Sequence, residues 1–319
     1  MTLKGKVVPE PVDIGQTAAA SFVRLPDIGT HFQVRAERLE ALASGNPLEP
    51  YLRFVAAVAR AQHAAAARLP AGTLPGKDHM EFSRAHEFPL IDRLTWKRDA
   101  SIVAGARLLA GALKDAAMPE QAAQALAAFT ARDDASIDAL AERVLREEQE
   151  TWENAEVPFI GAALELHFTR MAALLDPADP APVEPRNLCP VCGSLAVASV
   201  VDAARGRQGS RYLCCSLCQT RWNYTRIQCA HCVSTKGIAY QNIENGSKAV
   251  RAETCDECRT YTKILYAEED AAVDPVADDL ATLTLDILVS EAGWARACPS
   301  FYLLPEEEEG DTEPLSRAD

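Results

Sequence analysis

From residue 27 to residue 175 the apolar positions recur every three or four residues, which is the period of helices that bury one face. In "EPYLRFVAAVARAQHAAAARL", Tyr51, Phe54, Val55 and Val58 form one stripe, and Pro70 closes the run. Further helices are predicted over 99–116, 119–131, 134–151 and 157–175, divided by turn residues or a change of period. Four prolines in "DPADPAPVEP" (176–185) then stop helix propagation and favour an extended connector. Beyond it the period shortens to that of strands. "LAVASVV" and "SRYLCC" flank a Gly-containing loop, and "GIAYQNIE" and "SKAVRAET" meet at Asn245-Gly246, a favoured hairpin turn. "QTRWNYTRI" and "RTYTKILY" each supply a third strand. A last helix is expected near Pro275, capped by Asp274.

The strand-rich part holds the chemistry. Eight of the ten cysteines form four CxxC pairs: Cys189 with Cys192, Cys215 with Cys218, Cys229 with Cys232, and Cys255 with Cys258. The last two pairs repeat the first two at an offset of 40 residues, and Ser194/Ser234, Gly206/Gly246, Arg211/Arg251 and Thr220/Thr260 keep the same offset. That is an internal duplication of the unit C-x2-C-x22-C-x2-C. A CxxC knuckle turns two sulfurs toward one point, and the 22 intervening residues suffice for a hairpin that brings a second knuckle back to it. The duplication favours one site made by Cys189, Cys192, Cys215 and Cys218 and another by Cys229, Cys232, Cys255 and Cys258, although a nested pairing also satisfies the spacing. Four thiolates suit zinc and iron alike. "CPVCG" resembles a rubredoxin knuckle, whereas the other three continue without that glycine, which weakens the case for iron.

The fold class is therefore α+β and multidomain. An extended segment (1–26) leads to an α-helical domain (27–175) and a Pro-rich linker (176–186). Two tandem rubredoxin-like or zinc-ribbon β modules follow (187–227 and 228–268), then a C-terminal helix and strap (269–305) and an acidic, disordered tail (306–319).

Composition narrows the function. With 319 residues and 48% hydrophobic content the chain can bury a large core. It shows neither a signal-peptide pattern nor an 18-residue apolar run, so a cytoplasmic protein with no membrane insertion is expected. In a reducing compartment, CxxC pairs serve metals before disulfides. A net charge of −14 argues against a nucleic-acid partner. Residues 186–266 do hold eleven Lys and Arg against five Asp and Glu, but eight thiolates holding two divalent ions would carry a net −4 and absorb most of that +6 excess. Trp222, Tyr224 and Arg226 could stack bases, yet strand aromatics more often pack inward. His79, Glu81, His86, Glu87 and Asp92 gather in one polar segment without the spacing of a helical metal motif. His31, His63 and His167 read as ordinary side chains, His231 as turned away from the site, Cys214 as a spare thiol and Cys298 as a small residue outside the repeat. No phosphate loop or nucleophile elbow is present, so no enzyme activity is expected.

Together, the helical segments "PLEPYLRFVAAVARAQ" and "PLIDRLTWKRD", the four knuckles, and "TYTKILYAEEDAAVDPVADDLATLTLDILVSEAGWAR" resemble the FdhE family of formate dehydrogenase accessory proteins over about residues 46–300. The resemblance implies a cytoplasmic, non-catalytic assembly factor, a chaperone of protein maturation. Such a factor is needed for active respiratory formate dehydrogenase and binds its catalytic subunit before export. It also implies rubredoxin-like iron on the eight paired cysteines, with zinc as the alternative. Family members can differ at Cys214, so no role is inherited there. A zinc-ribbon nucleic-acid binder and a rubredoxin-like electron carrier are the competing classes, and the sequence leaves a homodimer open.

Overall fold

The computed structural model describes residues 20–203, 209–244 and 246–303. Gly206 and Asn245, and with them the tips of both predicted hairpin turns, lie outside these residues, as does the acidic tail. The chain enters through a two-residue strand, β1 (Val23–Arg24), within the segment expected to be extended. Seven helices follow: α1 (His31–Ala43), α2 (Glu49–Ala66), α3 (Lys77–Ala85), α4 (Ser101–Leu113), α5 (Glu120–Ala131), α6 (Asp134–Arg146) and α7 (Val157–Ala172). The helix predicted over 134–151 stops at Arg146, because Glu147 takes a left-handed conformation (φ 61°). A short 3-10 turn, Thr151–Glu156, then leads into α7. Asp133 caps α6 through the Ser136 amide. α7 is buried along almost its whole length, so it reads as an apolar run instead of a stripe.

Six strands come from the duplicated region. Copy one supplies β2 (Ala196–Val201), β3 (Arg211–Cys215) and β4 (Arg221–Tyr224); copy two supplies β5 (Ile238–Gln241), β6 (Val250–Cys255) and β7 (Thr260–Tyr266). Each copy is an antiparallel meander, and the copies fuse into one sheet because β2 runs parallel to β7, with Ala198 opposite Lys263 and Val201 opposite Tyr266. The order is β1-β4-β3-β2-β7-β6-β5. A strand flanked on both edges and covered on both faces has no solvent side, which explains why every residue of β2 is buried and why "AVASVV" does not alternate. β5, at the open edge, is half exposed.

The last described stretch forms α8 (Ala277–Ala281), α9 (Leu283–Glu291) and β8 (Ala295–Arg296), which pairs with β7. The expected single helix is thus split at Thr282, while Asp274 does accept from the Val276 and Ala277 amides. Residues 297–303 return over α7, where a Cβ on Gly161 would clash with the Phe301 side chain.

The helices and the sheet share buried ionic contacts. Arg35 of α1, fully buried, faces Glu165 of α7 (3.6 Å) and Asp274 (3.3 Å), and Tyr302 donates to Glu165 (2.8 Å). Arg38 pairs with Asp278, and Lys263 of β7 with Asp279 (3.2 Å) and Asp286 (2.5 Å). The acidic positions of "DPVADDLATLTLD" are therefore largely internal partners of Arg and Lys. Among the described residues no helix is long and apolar enough to cross a membrane.

Candidate metal centres

Each knuckle is a tight turn whose amides fold back on it. In copy one the Cys189 amide donates to Ser194 O (2.9 Å) and the Gly193 amide to Cys189 O (2.9 Å). In copy two the Cys229 amide donates to Ser234 O (2.8 Å) and the Val233 amide to Cys229 O (3.2 Å). The second knuckles follow β3 and β6 directly, so the hairpins carry them back to the first knuckles. The amides of Leu217 and Cys218 point at Cys215 Sγ (3.3 Å each), and those of His231 and Cys232 at Cys229 Sγ (3.3 and 3.4 Å).

The residue after the second cysteine is left-handed in all four knuckles: Gly193 (φ 75°), Gln219 (61°), Val233 (65°) and Arg259 (56°). A β-branched residue is rare there. The expectation that glycine distinguishes the first knuckle is corrected by this geometry. The turn imposes one backbone on all four, and three of them adopt it at a steric cost that the surroundings must offset. The knuckle shape accordingly does not choose between iron and zinc.

The sulfurs converge within each copy. Cys189, Cys192, Cys215 and Cys218 form one quartet and Cys229, Cys232, Cys255 and Cys258 the other, with all Sγ atoms of a quartet within 4.8 Å of one another. Cys189 and Cys218 Sγ are 3.5 Å apart and Cys192 and Cys215 Sγ 3.3 Å in the first, and Cys229–Cys258 and Cys232–Cys255 are each 3.7 Å apart in the second. Four sulfurs on a tetrahedron about 2.3 Å from one ion lie about 3.8 Å apart. A disulfide needs about 2.05 Å, so neither quartet is bridged. Both quartets have the donor set and spacing to hold one tetrahedral ion.

Electrostatics agree with that fit. Burial opposes a thiolate at Cys192, but hydrogen bonds from its three partner cysteines and Ser194 outweigh it and hold its pKa well below the ordinary value. Burial and the neighbouring Cys192, Cys215 and Cys218 push Cys189 well up, and burial with the charge at Cys192 does so for Cys215. In copy two burial raises Cys229, whereas at Cys258 it is outweighed by hydrogen bonds from Thr260 and the pKa falls to about 7. Cys192 in the first quartet and Cys258 in the second are thus favoured as thiolates, while burial disfavours ionising Cys189 and Cys215 in the first and Cys229 and Cys255 in the second, the pattern that a divalent cation would relieve.

Hydroxyls complete the shell. Ser194 Oγ lies 3.4 Å from Cys192 Sγ, Thr220 Oγ1 3.2 Å from Cys218 Sγ, and Thr260 Oγ1 3.0 Å from Cys258 Sγ. Sequence reasoning marked these positions only as part of the 40-residue offset, and that offset was the signal that could have assigned them.

Other candidates fall elsewhere. Cys214, buried, belongs to neither quartet, and burial raises its pKa to about 11. Cys298 is half-buried and outside both. His231 is exposed. His79 contacts Leu90 O (3.0 Å) and Trp96, His86 stacks on Phe82, and Asp92 caps the Thr95 turn, so these groups do not form a joint site. Trp222 and Tyr224 are buried, donating to Arg186 O (3.1 Å) and Cys229 O (2.9 Å), which leaves neither ring free to stack on a base. One contact the sequence did not reveal joins helical domain to site: the amides of Leu90, Ile91 and Arg93 donate to the carbonyls of Pro190 (3.3 Å), Val191 (2.7 Å) and Cys192 (3.0 Å).

Family models for the FdhE N-terminal, central and C-terminal domains match residues 20–185, 188–226 and 227–303. A Rhizobium meliloti (strain 1021) protein described as a protein FdhE homolog is 36% identical over 293 residues, covering 91% of this chain and 95% of that relative. The chain belongs to the FdhE family. Protein FdhE of Salmonella choleraesuis (strain SC-B67) is likewise 36% identical, over 90% of this chain and 92% of its own length. The crystal structure of the FdhE protein from Pseudomonas aeruginosa has the same fold, with a TM-score of 0.77 at 33% identity over 89% of this chain and 99% of that one. All three FdhE domains are thus accounted for within residues 20–303.

Proposed function

We propose that this chain is a non-enzymatic accessory protein that acts in the cytoplasm on the catalytic subunit of a respiratory formate dehydrogenase. It holds that subunit, before export, on a platform carrying two four-cysteine metal sites. The ligands are Cys189, Cys192, Cys215 and Cys218 in one site and Cys229, Cys232, Cys255 and Cys258 in the other. Iron is the expected ion on the family resemblance, with zinc as the alternative for an S4 set. The observation that carries this reading is the convergence of eight sulfurs, from two copies of one unit, into two tetrahedron-sized quartets on a single sheet. Membership of the FdhE family supplies the client. The hydroxyls of Ser194, Thr220 and Thr260 stand where each would donate to a ligand thiolate and tune it.

The test is a pull-down of the catalytic subunit under anaerobic conditions with wild-type protein and with Cys→Ser variants of each quartet. Capture of the subunit by wild type, reduced at least tenfold when both quartets are disabled, is expected. Undiminished capture and activation with both quartets disabled would reject a metal-dependent platform.

A further inference from the structure

The two copies of the unit have diverged where their knuckles meet the rest of the molecule. The two inner residues of each knuckle are Pro-Val and Ser-Leu in copy one, but Ala-His and Asp-Glu in copy two. The structure gives that difference a physical meaning. Val191 and Leu217 are buried, at 0% and 1% exposure, whereas their counterparts 40 residues on, His231 and Glu257, are exposed. The sulfurs follow their knuckle tips. All four of the first quartet are 0% exposed, while in the second Cys232 is exposed and Cys258 only half-buried.

The first quartet is also tied into the helical domain from two sides. The Leu90–Arg93 segment donates three backbone hydrogen bonds to the carbonyls of its first knuckle. From its second knuckle, Gln219 accepts from Arg35 (2.7 Å) and reaches Glu165 (3.4 Å), within the fully buried ionic cluster. Opening this quartet would break contacts among α1, α7 and the sheet. The second quartet belongs to the copy whose outer strand β5 is the open edge of the sheet, and its knuckle-tip residues His231, Asp256 and Glu257 are exposed.

Ligand exchange at a tetrahedral ion needs an approach path for the incoming donor and room for a departing sulfur. Resting on the metal-binding reading above, we infer that the two centres divide the work: the first is a permanent clasp welding the helical domain to the sheet, and the second is the exchangeable centre. At the second, a competing soft donor, such as a thiol or a nitrogen chelator, reaches the ion through the Cys232–Cys258 side while the fold stays intact.

The experiment follows ion loss from full-length protein, purified without air and loaded with zinc, on adding excess 4-(2-pyridylazo)resorcinol, with native mass spectrometry and near-ultraviolet circular dichroism run in parallel. The expected result is two phases of one ion each. The first is at least tenfold faster and leaves the circular dichroism unchanged; the second coincides with loss of the tertiary signal. In Cys232→Ser/Cys258→Ser the fast phase is absent and the slow ion remains. A single phase for both ions, a fast phase that survives in the double variant, or release of the slow ion without unfolding would each overturn the inference while leaving metal binding intact. Protein that takes up no ion at all would instead overturn the metal-binding reading on which it rests.

Discussion

Several side chains sit in surroundings that dictate a single state. Gly193 is left-handed, and a Cβ there would lie 3.0 Å from Asp92 Oδ2 and 3.1 Å from Pro89 Cγ, against the segment that grips the first knuckle. Gly193→Ala is expected to cost about 1–3 kcal/mol by chemical denaturation, through both strain and contact. His167, packed against Phe168 with Ser101 Oγ at 2.7 Å from Nδ1, has its pKa lowered to about 4 by burial, only partly offset by Asp99. The unfolded chain takes up this proton near pH 6.5 and the folded protein only near 4. Stability is therefore expected to fall as the pH drops through that window. Between pH 7 and 5 the wild type should lose about 2 kcal/mol more than His167→Gln, measured as the difference in unfolding free energy. Arg35 is fully buried between Glu165 and Asp274, so Arg35→Met strands two carboxylates. A loss of about 3–5 kcal/mol is expected, partly restored by adding Glu165→Gln.

Elements differ in how far the sequence announced them. Strong cues were α2, with its apolar stripe, and β3 and β6, each leading straight into a cysteine knuckle. The break after α6 was hidden, because a left-handed glutamate carries no marker in composition. The same holds for Gln219, Val233 and Arg259, which take the knuckle backbone without the glycine that would advertise it. A strap was expected within 269–305, but its seat on α7 was not legible, since that depends on a glycine–phenylalanine contact between residues 140 positions apart in sequence. At that contact Gly161→Ala is expected to displace Phe301, lowering stability by about 1–3 kcal/mol and exposing 297–303 to limited proteolysis.

Across the whole molecule, the cysteine offset announced both quartets because a 40-residue duplication is written directly in residue identity. The joining of the two copies through the parallel pair β2–β7 is not written there, since either meander alone would satisfy the same pattern of apolar positions. Nor are the partners of the C-terminal aspartates: a run of acids reads as solvated until Arg35, Arg38, Lys263 and Arg296 are found against it. These long-range pairs make helical domain, sheet and strap one body around the first quartet, with the second at its open edge. The most direct test of this account is X-ray absorption spectroscopy with metal quantification on protein purified without air. Two ions per chain, each surrounded by four sulfurs at about 2.3 Å, is the result the account predicts. Sulfur bonded to sulfur with no ion, or ions held mainly by oxygen and nitrogen, would contradict it.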